Sequence, residues 1–495
     1  MITQTDIANK LIAENGTPTM GSIIKEIIEE NNITLMEKGV QYYKNNGDIK
    51  DRKIYYYDNG TKVVDETAIN NRIPHNWHKL LVKQKMGYLV GKPITFSDKE
   101  TSEDEGGNQV SPNNEFVNEI NIVLDESFDD AMNELVKGCS NKGVEWLHVY
   151  INEDGVFKYT IIDARQVIPI WETQRQEELD AVIRYYIITV NGEDRIRAEY
   201  WTQEDVTYYL EDSGGNLILD TLTVDDPRQS HFYRVKTIGN EKITNGEGWG
   251  MVPFIPFKNN EEMLSDLNDY KELVDEYDKN RSDLANNLEE IQDALFVLKN
   301  YAGQDLKEFQ RNLRYYRALK VDGDGDVKTI TIEIPVEAKK EHTDRLAEDI
   351  FMFSQGVNVK TDKFGNSPSG VALQFLYAQL DLKCDTLERK HKKSIKKLLE
   401  FIAEYFRIVD NIDYDHNVIK ITFNRSMITN EAEKIDSAQK SKNVISDETI
   451  AANHPWVDDP QKEMEKLESQ KNDLYSQRLG QDLSILEDET GGVEL

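Results

Sequence analysis

Apolar residues recur every three or four positions through MGSIIKEIIEENNITLMEKGVQYYKNNG, residues 19–46, which predicts helices there. IYYYDNGTKVV follows, with Asn59-Gly60 marking a turn between two β-prone runs. The helical pattern returns in NWHKLLVKQKMGYLVGKP and is expected to stop before Pro93. SDKETSEDEGGNQVSPNN, residues 97–114, reads as an exposed loop, and a single helix is expected from about Glu115 to Lys137. The period then changes. WLHVYINEDGVFKYTII reads as a hairpin about Asp154-Gly155, and AVIRYYIITV, RAEYWTQEDVTYYL and NLILDTLTV continue as short strands. A β-rich domain over 144–257 follows from this, closed by the extended run MVPFIPFKNN.

From Glu261 the spacing is helical again. Leu264, Leu267, Tyr270, Val274, Tyr277, Arg281, Leu284, Leu288, Ile291 and Leu295 form a narrow stripe, suited to helix–helix contact. A short helix, a turn and a strand are expected through AGQDLKEFQRNLRYYRALKVDGDGDVKTITIEIPVE, and a helix through VEAKKEHTDRLAEDIFMFSQG, with Leu346, Ile350 and Phe353 on one side. Next comes the polar loop GVNVKTDKFGNSPSG. Ser367-Pro368 then starts a helix that no Pro or Gly interrupts from Val371 to about Val409. VIKITFNR is a strand, and residues 428–495 are helical and acidic with the tail LEDETGGVEL.

Composition narrows the class. A chain of 495 residues exceeds a single core and implies about two to four domains. Hydrophobic residues make up 38%, yet 23 Tyr, 16 Phe and 6 Trp argue against general disorder. No apolar run reaches the ~18 residues of a membrane span, and MITQTDIANK does not read as a secretory signal. Cys139 and Cys384 are too few for a disulfide framework, so a reducing compartment fits. The net charge of −32 keeps the chain soluble and opposes tight binding to nucleic acid.

Most candidate chemistry is weak. GYLVGKP, residues 87–93, has three residues between its glycines and a proline after the lysine, so it fails as a phosphate loop. Asp322, Asp324, Asp326 and Glu333 fall at the first, third, fifth and twelfth positions of a calcium loop, but Val327 stands where glycine must bend it. A metal-dependent hydrolase or calcium-binding protein built on 322–333 is the alternative this leaves. His75 and His78 lack a placed third ligand. Arg389, Lys390, Lys392, Lys393, Lys396 and Lys397 form a basic block that reads either as a solvated helix surface or as a docking site for an acidic neighbour.

The order is informative: a β domain, a long helix, a small α/β insert, a second helix, a polar loop, a long helix. With NRIPHNWHKLLVKQKMGYLVGKPITFS (71–97), VPFIPFKNNEEMLSDLNDYKELVDEYDKNRSDLANNLE (252–289), SPSGVALQFLYAQLDLKCDTLERKHKKSIKKLLEFI (367–402) and ISDETIAANHPWVDDP (445–460), the chain resembles the SPP1-type portal proteins of tailed bacteriophages that infect Gram-positive bacteria. The likeness extends from about residue 20 to 470.

It implies an α+β subunit that assembles as a ring, usually a dodecamer, at one capsid vertex. Residues 1–260 and 371–427 correspond to the wing, 261–278 and 338–355 to two stem helices, and 279–337 to the clip. Residues 356–370 correspond to the tunnel loop and 428–495 to the crown. Double-stranded DNA is implied to pass non-specifically along a channel. Asn358, Lys360, Thr361, Asp362, Lys363, Phe364 and Asn366 of the tunnel loop and Glu341, Asp344 and Glu348 of the stem are implied to face it. The implied partners are further copies of the chain, a large terminase that supplies ATP hydrolysis, the major capsid and scaffolding proteins, and a head-completion adaptor. No cofactor, metal, membrane or catalytic role is implied. The expected location is the virion, after assembly in the host cytoplasm.

Overall fold

The computed structural model describes residues 2–13, 19–99, 102–103, 109–110, 112–238, 241–290, 295–299, 326–330, 335–358, 370–426, 431–442, 444–452, 454, 456–457, 460 and 462–470. These divide into two compact units. The first comprises Met1–Asn358 with Gln379–Ser426, and the second Val359–Ala378 with Met427–Leu495.

The first unit begins with strand β1 (Ile2–Thr3) and helices α1 (Gln4–Ala13), α2 (Met20–Glu30) and α3 (Thr34–Tyr43). Strands β2 (Tyr55–Asp58) and β3 (Thr61–Val64) form the expected hairpin, with Asn59 and Gly60 at φ 48° and 81°. Helix α4 (Trp77–Leu89) ends ahead of Pro93. Strand β4 (Thr95–Asp98) takes the first residues of the expected loop into a sheet by pairing with residues 419–422, and Asp98 accepts hydrogen bonds from Asn113. Strands β5 (Ser102–Glu103) and β6 (Gln109–Val110) then pair with each other.

The single helix expected over 115–137 is two helices, α5 (Asn114–Val123) and α6 (Glu126–Lys142). Asp125 breaks the run: its carboxylate accepts the Ser127 N–H at 2.9 Å and starts α6 as an N-cap. Helix α6 stops at Gly143, which lies at φ +89° with the Met263 carbonyl 1.9 Å from where a Cβ would sit. Only glycine meets both conditions.

Strands fill most of residues 144–257. Strands β7 (Val144–Ile151) and β8 (Phe157–Ile162) are the hairpin about Asp154-Gly155. They are followed by β9 (Val167–Trp171), β10 (Leu179–Val190), β11 (Glu193–Trp201), β12 (Asp205–Glu211), β13 (Leu217–Leu219) and β14 (Arg228–Ser230). These form a seven-stranded sheet with β1, in the order β1-β9-β10-β11-β12-β13, β14 pairing with β12. Strands β15 (Phe232–Ile238) and β16 (Glu241–Glu247) make a separate ribbon, and β17 (Phe254–Lys258) adds to β7. Ile23, Ile24 and Ile27 of α2 lie on one face of the large sheet against Ile170, Ile183 and Ala198. Trp146, Trp171 and Phe254 centre the core between that sheet and β17-β7-β8.

The stripe beginning at Leu264 overstates its helix. Leu264 is in a loop, Leu267 is in a single 3-10 turn, and helix α7 spans Lys271–Glu290. The side chains hold the chain open before it. Asn260 Oδ1 accepts the Leu264 N–H at 2.7 Å, Ser265 Oγ accepts that of Leu267 at 3.1 Å, and Met263 sits at φ 54°. Leu295 falls in strand β18 (Leu295–Lys299), which pairs antiparallel with β19 (Asp326–Ile330). Helix α8 (Val336–Ser354) returns alongside α7. Leu346 and Ile350 are buried as expected, but Phe353 is 57% exposed at the helix end.

Helix α9 (Gly370–Val409) runs 40 residues. Its buried face repeats as Leu380, Cys384, Leu387, His391, Ile395, Leu398 and Ile402. Strand β20 (Ile419–Thr422) closes on β4. The second unit holds the first turns of α9 together with α10 (Glu431–Ser441) and α11 (Asp447–Ala452). The Ser367-Pro368 helix start and the LEDETGGVEL tail lie outside the described residues.

Candidate functional site at the paired helices

The α7–α8 pair is held by α4 and by the extended chain that leads into it. Alternate backbone N–H groups of that chain donate to side chains one helical turn apart on α7. Asn71 donates to Asn286 at 2.7 Å, Ile73 to Ser282 at 3.0 Å and His75 to Asp278 at 3.0 Å. Two extended residues rise about 6.6 Å and four helical ones about 6 Å, so the two periods stay in step. All three acceptor residues are buried, Asp278 to 2% exposure, so their polar atoms need these donors. His75 Nδ1 also meets Asp278 at 2.8 Å. Trp77 opens α4 and stands edge-on between Tyr277 of α7 and Phe351 of α8, each ring 5.3 Å away. Below it, Tyr42, Leu81, Leu267, Tyr270, Val274 and Ile350 form one core.

The opposite face of α8 is acidic. Glu341, Asp344 and Glu348 are exposed there, away from Leu346 and Ile350. Arg345 lies beside them, 3.7 Å from Glu348 and 3.5 Å from Asp349. Such exposed pairs contribute little stability, and the face stays net negative.

The C-terminal end of α8 is fixed by polar contacts from two directions, α4 and α9. Gln355 turns left-handed at φ 57°. Gln84 of α4 then clamps Val357 through both amide atoms, accepting its N–H at 3.1 Å and donating to its carbonyl at 2.9 Å. Lys383 of α9 donates to the Ser354 carbonyl at 3.1 Å. The same Lys383 reaches Asp266, just ahead of α7, at 3.3 Å.

Asp266 is the centre of a buried network. Lys85, 2% exposed, meets it at 2.6 Å and Asn259 Oδ1 at 2.8 Å, while Asn259 donates to Asp266 at 3.0 Å. Burial alone pushes the Asp266 carboxyl up, but Lys383 and Lys85 overcome it and hold the group well below the usual carboxylate range. Lys85 is raised despite its burial, chiefly by Asp266. Side chains from α4, α9 and the loop after β17 therefore meet on one carboxylate. On the other side of α9, Arg425 bridges Asp381, Asp385 and Glu388, and Tyr88 donates to Asp381 at 2.8 Å.

Among the described residues no group of three His, Cys, Asp or Glu side chains could hold a metal ion. His75 and His78 go to different partners, His78 Nδ1 meeting Tyr270 Oη at 2.7 Å. Cys139 Sγ lies 3.7 Å from His391 Nε2, but burial pushes that thiol up to about 12 and the imidazole down to about 3. Both are neutral at pH 7, unlike a thiolate–imidazolium pair.

Of the residues singled out in the sequence, Glu341, Asp344 and Glu348 share the exposed face of α8, and Asn358 is partly buried beyond its end. Lys360, Thr361, Asp362, Lys363, Phe364 and Asn366 lie outside the described residues, as do Asp322, Asp324 and Glu333; Asp326 opens β19. Sequence reasoning missed Gln84, Lys85, Asp266 and Lys383. The four-residue spacing of Asp278, Ser282 and Asn286 was the available signal for the ladder.

The family described as phage portal protein, SPP1 Gp6-like, matches residues 24–475. The portal protein of Bacillus phage SPP1 is 36% identical over 501 aligned residues, covering 100% of this chain and 94% of that protein. The portal protein of Clostridium phage phiCD119 is 32% identical over 465 residues, 89% of this chain and 93% of its own length. With the match running through the sheets, the helix pair and the long helix alike, the chain belongs to the SPP1-type family of phage portal proteins.

Proposed function

We propose that copies of this chain close into a ring of about twelve subunits at one capsid vertex, and that the ring is a conduit for double-stranded DNA without catalysis of its own. What supports the reading is the correspondence with two phage portal proteins, over 100% and 89% of the chain. In this ring the stem is the start of α7 together with α8, and the exposed carboxylates Glu341, Asp344 and Glu348 line the bore. Residues 279–337 form the clip that meets a large terminase during packaging and a head-completion adaptor afterwards. Residues 428–495 form the crown, the remainder of the wing meets capsid and scaffolding proteins, and the assembly stays in the virion.

The physical basis is a balance of weak forces. DNA carries one charge per about 1.7 Å of axis. A carboxylate-lined wall repels it and prevents adhesion, so the duplex slides. Residues 356–370 supply the few cations, and Lys360 and Lys363, repeated around the ring, make transient phosphate contacts that support the column. The test is DNA packaging by rings carrying Lys360→Ala and Lys363→Ala. The reading expects reduced packaging or retention of DNA; wild-type performance in both would remove the contact role.

A further inference from the structure

The basic block on α9 separates into two sets. Lys390 bonds Glu261, Lys392 meets Glu388 at 2.7 Å, and Lys397 meets Glu400 at 2.9 Å. These three are satisfied within the chain. Arg389, Lys393 and Lys396 are exposed, and none makes an ion pair among the described residues. They fall at i, i+4 and i+7, a single stripe about 10 Å long on the helix. Leu382, 64% exposed, lies one heptad before Arg389 on the same line. An exposed leucine in line with cations suits a protein surface better than a phosphate backbone, which offers it no apolar cover.

The same chain carries the complementary set elsewhere. Glu115 and Glu119 of α5 and Asp410, just past α9, surround Tyr414, whose hydroxyl burial and these three carboxylates push up. Tyr414 is fixed there by stacking on Phe116 at 4.5 Å. None of the three acids has an ion-pair partner among the described residues. Ile122, on the exposed face of α5 with them, is 70% exposed. On one subunit the two sets cannot meet. Lys396 and Asp410 are fourteen residues apart at the two ends of a helical stretch, about 20 Å, and Arg389 is about 30 Å from Asp410.

We propose that the Leu382–Arg389–Lys393–Lys396 stripe docks on the Glu115–Glu119–Asp410 ridge of a second copy of this chain. Two different patches make the contact head-to-tail, the kind that closes a ring. It also answers a cost of assembly: subunits of net charge −32 repel one another, and the seam requires local charges of opposite sign. This inference rests on the ring reading and deepens it by naming the seam.

The test is a charge swap read by native mass spectrometry of the full chain. Arg389→Glu with Lys393→Glu is expected to lower the ring population by about tenfold or more, and Glu115→Lys with Glu119→Lys to do the same. Combining all four substitutions restores rings. The neutral pair Arg389→Gln and Lys393→Gln, with unchanged melting of the single subunit, separates lost docking from lost folding. Rings that survive both reversals overturn the seam and leave the ring reading intact. Failure of the combined variant to recover overturns it too. Normal rings that lose DNA retention would instead assign the stripe to nucleic acid. A wild-type chain that forms no rings removes the ring reading itself.

Discussion

Lys85 carries a full charge at 2% exposure and is tolerated only because Asp266 and Asn259 meet it. Removing one member of such a pair strands the other. Lys85→Met is expected to cost about 3–5 kcal/mol, read as a shift in the urea midpoint, and joint replacement with Asp266→Leu to recover part of it. A loss below about 1 kcal/mol would mean the network carries little. The buried histidines make a second prediction. Burial lowers His78 to about 4, His148 to about 3, His231 to about 4 and His391 to about 3. Below pH 6.5 the unfolded chain takes up protons that the folded one refuses, so stability falls as pH drops from 6.5 towards 4. Melting temperatures across that window measure it, and His391→Leu should flatten the slope. Sequence singled out His75 and His78 as a pair. Their real partners, Asp278 and Tyr270, lie 203 and 192 residues away, a separation that local pattern does not encode.

Among the elements, those with strong periodicity or explicit turn chemistry were legible. The Asn59-Gly60 and Asp154-Gly155 hairpins, the helix ending ahead of Pro93 and the β-rich stretch over 144–257 are examples. Two of the failures share one cause. Apolar spacing continued across Asp125 and through Leu264–Tyr270, while a polar side chain accepted a backbone N–H and set the start of the next helix later than the pattern implied. Gly143 tests how closely α6 and the chain before α7 are fitted. Gly143→Ala meets both a left-handed backbone and the Met263 carbonyl. It is expected to cost about 2 kcal/mol or more in thermal unfolding, against under 1 kcal/mol if the close approach relaxes. Gln84→Ala should accelerate amide exchange at Val357, since it removes the acceptor of that N–H; unchanged exchange would show that the clamp does not hold the end of α8.

At the level of the whole molecule, family membership was legible because order and spacing of segments survive where individual chemistry is sparse. The acidic face of α8 was also foreseeable, since Glu341, Asp344 and Glu348 recur at helical spacing. The separation of the basic block into paired and unpaired cations was foreseeable only in part: Glu388–Lys392 and Lys397–Glu400 are local helical pairs, but Glu261 approaches Lys390 from 129 residues away. The central claim is that this chain forms an annulus whose carboxylate-lined opening passes duplex DNA. Electron cryomicroscopy of the purified assembly tests it most directly. The account predicts a ring of about twelve subunits with Glu341, Asp344 and Glu348 of α8 facing the central opening. Single subunits without an opening at high concentration, or a ring whose bore is lined by other elements, would contradict it.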